Sequence, residues 1–168
     1  MPGSIENLRQ QLLAAFADAQ YPGDDRIAKC TWEQCRECET IRQDLRGQTP
    51  STLSEEILDR TSLPLLFPEA FRYFIPAYMC YTAEHPDSSI AFFTIISLGP
   101  PDYDDFLRKR FRLFTPAERD AVIACLEFLR TQEVEGDEED NAKYRKRVDV
   151  GIRIWKEMAE PCASANAG

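Results

Sequence analysis

The four residues Thr115-Pro116-Ala117-Glu118 limit the fold of this chain more than any other stretch, because three separate signals for a helix start coincide in them. Threonine suits the N-cap, and proline suits the first helical position, where its missing N–H would go unpaired anyway. Glutamate at the third position reaches back to the cap in a capping box. Downstream, Ala121, Val122, Cys125, Phe128 and Leu129 recur on one face, and Ile123 and Leu126 widen that face until little is left for water. A helix apolar on most sides must be covered by other elements, so this one belongs near the centre of the fold.

The rest of the chain is punctuated in the same way. Ser4 can cap a helix whose Ile5, Leu8, Leu12, Ala15 and Phe16 form one apolar face, ending near Tyr21. Tyr21-Pro22-Gly23-Asp24-Asp25 reads as a turn. Thr31 and Gln34 make a capping-box signature that puts Thr31 at the N-cap and Cys35 at the fourth helical position, with the helix running to Arg46 and stopped by Gly47. A shorter helix follows Ser54, and Pro68 opens another that carries Phe71, Phe74, Ile75, Tyr78 and Met79. Pro76 lies within that periodicity, which continues to Tyr81, so a kink is expected rather than a break.

Ile90 to Leu98 is ambiguous: its Ile, Phe and Thr favour a strand, whereas its length, the cap at Ser88 or Ser89 and the want of a second strand favour a buried helix. Arg108, Lys109, Arg110 and Arg112, interleaved with Phe111 and Phe114, read as an amphipathic helix whose basic stems cover its own core, or as a surface for an acidic partner. Six acids, Glu133, Glu135, Asp137, Glu138, Glu139 and Asp140, form a solvated connection to a last helix with Tyr144, Val148, Ile152 and Trp155 on one face. The expected architecture is all-α, one compact domain over residues 1–160 with six or seven helices, followed by a mobile tail at 161–168.

Charge narrows the partners. The formal net charge is −9, which repels a phosphate backbone and disfavours nucleic acid, while suiting both solubility and a basic protein partner. The longest apolar stretches, Phe74 to Cys80 and Ile90 to Leu98, fall far short of a membrane span, and the first residues lack the pattern of a secretory signal. A cytoplasmic location is therefore expected, where the six cysteines would mostly remain thiols.

Three of those cysteines, Cys30, Cys35 and Cys38, lie within nine residues. Cys35, Cys38, Ile41 and Leu45 share one side of a helix, which suits simple packing, and Cys30 with Cys35 suits a hydrophobic staple. The same geometry could present Cys30, Cys35 and Cys38 to zinc, with a fourth ligand from His85, Cys80, Cys125 or Cys162. A redox pair is the third alternative, since a thiol near a helix start is more acidic and Cys38 could resolve it. No cofactor other than this possible zinc is indicated. His85, the only histidine, sits in a turn without a partner nucleophile nearby except Cys80, and no phosphate loop or calcium loop is present.

Phe67-Pro68-Glu69-Ala70-Phe71-Arg72-Tyr73-Phe74-Ile75-Pro76-Ala77-Tyr78-Met79 resembles a motif of a family of uncharacterised small bacterial proteins known only as a domain of unknown function. The Tyr21 to Asp25 turn, Cys35-Arg36-Glu37-Cys38-Glu39 and Leu113-Phe114-Thr115-Pro116-Ala117-Glu118 agree with it in the same order. The resemblance implies a bacterial origin and a mainly helical domain, with some weight on the two cysteines and the Phe71 to Tyr78 helix. It brings no activity with it. Such relatives often carry threonine where Phe67 stands, so the cap of that helix must come from elsewhere. Function is expected to be noncatalytic, an acidic module that binds or regulates a basic protein; the alternative is a thiol site at Cys35 and Cys38.

Overall fold

The computed structural model describes residues 4–28, 35–100, 102 and 104–159, and within them the chain forms eight α-helices and no strand. They are α1 (Ile5–Ala15), α2 (Arg36–Leu45), α3 (Glu55–Arg60), α4 (Pro68–Glu84), α5 (Ser89–Leu98), α6 (Asp105–Arg112), α7 (Pro116–Arg130) and α8 (Glu138–Ala159). Caps set most of the starts. Side chains of Ser4, Ser54, Ser88, Asp104 and Thr115 each accept a bond from a first-turn N–H, and the Thr115–Glu118 capping box is closed in both directions.

Several boundaries differ from the sequence reading. Helix α1 ends at Ala15 rather than near Tyr21, because Phe16 turns in to stack edge-on against Phe114, 5.7 Å between ring centres. The count is eight rather than six or seven. Cys35 is the N-cap of α2 and not its fourth residue: its backbone is extended, its carbonyl accepts from the Glu39 N–H, and Glu37 and Glu39 complement the dipole of the first turn. Thr31 and Gln34 lie outside the described residues. The segment over 90–98 is helical, and α4 continues through Pro76 to Glu84. Helix α4 begins without a side-chain cap; the Phe67 N–H donates instead to the Ile27 carbonyl, beside an isolated antiparallel bridge between Ala28 and Leu66.

Helix α7 occupies the centre as its apolar girth requires, packed against α1, α4 and α8. Ala121, Val122, Cys125, Leu126 and Leu129 are buried. Around it an aromatic cluster forms: Trp155 stacks on Phe111 at 4.4 Å and on Phe114 at 4.9 Å, and its indole N–H donates to the Leu98 carbonyl at 2.8 Å. Arg110 enters the same core. It is 1 % exposed, donates to the carbonyls of Pro64 and Leu66, and lies 4.6 Å from the centre of the Phe71 ring. Burial lowers its pKa to about 10, so it stays cationic at neutral pH and acts as a strap across the Leu63–Leu66 segment.

Three segments far apart in sequence close on one another beside α4. Arg26 pairs with Glu69 at 2.8 Å, the Tyr21 and Tyr73 rings meet edge-on at 5.6 Å, and Arg72 grips Glu118 through Nε and Nη2 at 2.8–3.1 Å. The Tyr21 hydroxyl donates to Asp24 at 2.6 Å and accepts from the Gly47 N–H at 2.9 Å, which ties in the end of α2. Gly47 needs its left-handed φ of 67° to make that turn. Each of these charges is matched by an opposite one, so this junction reads as a clasp that fixes the fold.

Candidate functional site

Helices α5 and α8 form a wedge. Arg147 lies over Phe92 at 4.7 Å, and further along both helices Gly99 meets Gly151 and Trp155 bonds to Leu98. At the narrow end the two backbones come so close that a Cβ on Gly99 would fall 2.6 Å from both the N and the Cα of Gly151. Toward their N-terminal ends the helices part, and a groove of about 300 Å³ opens between them.

The lining follows helical spacing. Ser88, Phe92 and Ile95 come from one face of α5 and its cap, while Asp140, Lys143, Tyr144 and Arg147 come from one face of α8; Pro86, Asp87, Val134 and Glu135 close the mouth. Asp140 to Arg147 spans two turns, about 10 Å. Phe92 is 48 % exposed and its neighbour Phe93 61 %, with their rings edge-on at 5.3 Å. Exposed phenylalanines this large, side by side at the rim of a groove, are uncommon on a surface that meets only water. The sequence leaves this segment between a strand and a buried helix, and neither reading exposes the two rings.

The acidic connection is solvated, with all six acids exposed, and it is also pinned by hydrogen bonds. Asn141, 9 % exposed, accepts from the Val134 N–H and donates to the carbonyls of Val134 and Asp137; Asp87 accepts from the Glu135 N–H at 2.5 Å. Asp137 accepts from the N–H groups of Glu139 and Asp140 at the start of α8. Asn141→Ala strands both polar groups of Val134 and is expected to lower stability by about 1–2 kcal/mol in urea denaturation.

Charge changes along the groove. Asp87, Glu135 and Asp140 line it together with the exposed Arg147, which lies over Phe92. Lys143 is paired with Glu139 at 2.8 Å, and among the described residues Arg147 has no carboxylate at ion-pair distance, only the Phe92 ring. Burial holds the Tyr144 hydroxyl well above its usual pKa, reinforced by Cys125 and Asp87, so it remains a neutral phenol.

The cysteines are elsewhere. Cys38 is completely buried with Ile41 and Leu45 on the inner face of α2, Cys35 is half-buried at its cap, and Cys30 lies outside the described residues, as does Cys162. Among the described residues no group of three His, Cys, Asp or Glu side chains is placed to hold a metal ion. Cys125 is buried beneath α4 with its thiol directed at the Met79 carbonyl, and burial pushes the half-buried Cys80 thiol up to about 11. His85 is exposed and its ring stacks on Tyr81 at 4.5 Å. Thiol titration should therefore find Cys38 and Cys125 unreactive in the native protein and reactive on unfolding; modification of either at native rates comparable to Cys35 contradicts this burial.

No helix among the described residues is long and apolar enough to cross a membrane. No curated protein and no solved structure matches the chain. Residues 9–158 match the sequence model described as a family of unknown function, DUF6714, which takes in all four segments singled out in the sequence and every helix except the first residues of α1 and the last of α8. The chain belongs to that family.

Proposed function

We propose that the protein is a noncatalytic module that binds, and through binding regulates, a basic protein. The observation that carries this reading is a groove that Glu135 and Asp140 of the acidic segment line together with Phe92, whose neighbour Phe93 is also exposed, while Asn141 ties that segment back through Val134. Opposite charge accelerates encounter, and buried aromatic area supplies affinity once water is displaced. The net charge of −9 disfavours nucleic acid as the partner.

Affinity capture with the intact chain, compared with its Phe92→Ala/Phe93→Ala variant, tests the reading. Wild type should retain a basic protein that is released as salt rises and that the variant fails to hold. Retention of the same proteins by both chains, or of none by wild type at any ionic strength, contradicts it. The thiol reading of Cys30, Cys35 and Cys38 is tested in parallel by metal analysis of the purified protein: stoichiometric zinc, lost with Cys35→Ser, supports it.

A further inference from the structure

We infer that the α5–α8 wedge is the seat of the partner, and that its occupant is a short protein segment with one large apolar side chain flanked on one side by lysine or arginine. This rests on the protein-binding reading and specifies where and how it is met. The geometry is that of a slot with apolar walls and a charged rim. Phe92, Ile95, Val134 and the Tyr144 ring supply apolar walls for a single anchor, in a groove of about 300 Å³ that is too small for a folded surface and suited to a projecting side chain.

Charge then fixes which end faces which. Asp87, Glu135 and Asp140 line the mouth, and Glu133, Asp137 and Glu138 lie along the same connection. Glu138 is paired with Arg145 and Glu139 with Lys143, while Asp137 and Asp140 are engaged with backbone N–H groups; the side chains of Glu133 and Glu135 make no ion pair among the described residues. Beside Phe92 the exposed Arg147 guanidinium repels a second cation. A basic residue of the occupant is therefore favoured beside Glu135 and Asp87 and disfavoured beside Arg147, so the segment enters in one orientation. The span along α8, about two turns, matches a segment of a few residues rather than a long helix.

The probe is a labelled synthetic peptide with a central tryptophan and lysines on one side, read by fluorescence anisotropy and by amide shifts of the intact chain. A second peptide replaces tryptophan by serine at the same charge. The tryptophan peptide should bind at low salt at least about tenfold more tightly than the serine peptide and shift Phe92, Ile95, Val134 and Tyr144. Phe92→Ala/Phe93→Ala should lose at least about tenfold in affinity. Glu135→Lys, a surface change that leaves the core untouched, should weaken binding and flatten its salt dependence.

Equal binding of both peptides, or of one peptide to wild type and the double alanine variant, overturns the wedge while leaving an acidic binding surface intact. Failure of either cationic peptide to bind at low salt overturns both the wedge and the reading beneath it. A dimer in sedimentation that dissociates on Phe93→Ala overturns the inference in favour of self-association.

Discussion

Arg72→Met is expected to destabilise the protein by about 3 kcal/mol, measured as a lowered midpoint in urea with an unchanged slope. Glu118 is 1 % exposed, and its carboxylate is held by both arms of the Arg72 guanidinium while Oε2 also accepts from the Thr115 N–H at 2.8 Å. Removing the cation leaves a carboxylate that must remain charged away from water or be protonated in place, and either outcome costs free energy. The estimate sits at the low end of the range for broken buried pairs because a quarter of the Arg72 side chain still faces solvent. Adding Glu118→Gln to Arg72→Met should recover at least half of the loss, since the amide oxygen keeps the cap and carries no charge. A loss under about 1 kcal/mol for Arg72→Met alone, or a further loss on adding Glu118→Gln, would mean that the pair does not hold α4 to α7.

This pair also marks where reading the sequence reaches its limit. Thr115, Pro116 and Glu118 announced α7 because their signals are local: a cap, a fixed φ and a side chain reaching back one turn. The second role of Glu118, as the anchor for an arginine 46 residues earlier, has no local signature. Arg110 shows the same gap. Spacing placed it on an amphipathic helix among other basic residues, and only the position of the Pro64 and Leu66 carbonyls decides that this one turns inward. Long flexible side chains choose partners that periodicity cannot see.

The candidate site was less legible still. The six acids were plain in the sequence, but their clamping depends on Asn141 bonding to Val134 and on Asp87 arriving from the turn after α4. Phe92 and Phe93 lie in a run so apolar that burial was the natural expectation; in a ten-residue helix packed on α4 and α8, some of that apolar surface must face outward. The cysteines are legible only in part, since Cys30 lies outside the described residues. Cys38 sits with Ile41 and Leu45 in a packed stripe, which is the simplest of the uses that their spacing allowed.

Gly99→Ala is expected to cost about 3 kcal/mol, and the reason is the same contact that gives the wedge its shape. The added methyl would lie 2.6 Å from Gly151 N and Cα, and both are backbone atoms inside a helix with no rotamer to turn aside. The φ of Gly99 is −137°, an ordinary extended value, so the cost comes from the collision and not from the residue's own conformation. Relief requires α5 and α8 to separate, which strains the Trp155 bond to Leu98 and loosens the packing of an indole that is completely buried. Gly151→Ala is the control. Its methyl meets Leu126 Cδ1 at 3.1 Å, a side-chain end that can yield, and alanine gains about 0.8–1.0 kcal/mol of helix propensity at a mid-helix position, so its net effect should be within about 1 kcal/mol. Paired thermal or urea melts decide the matter: equal effects from the two substitutions would mean that the helices do not touch there. Because the groove is the open end of the angle closed at this contact, Gly99→Ala should also weaken occupancy of the wedge when measured at a temperature where the variant is still folded.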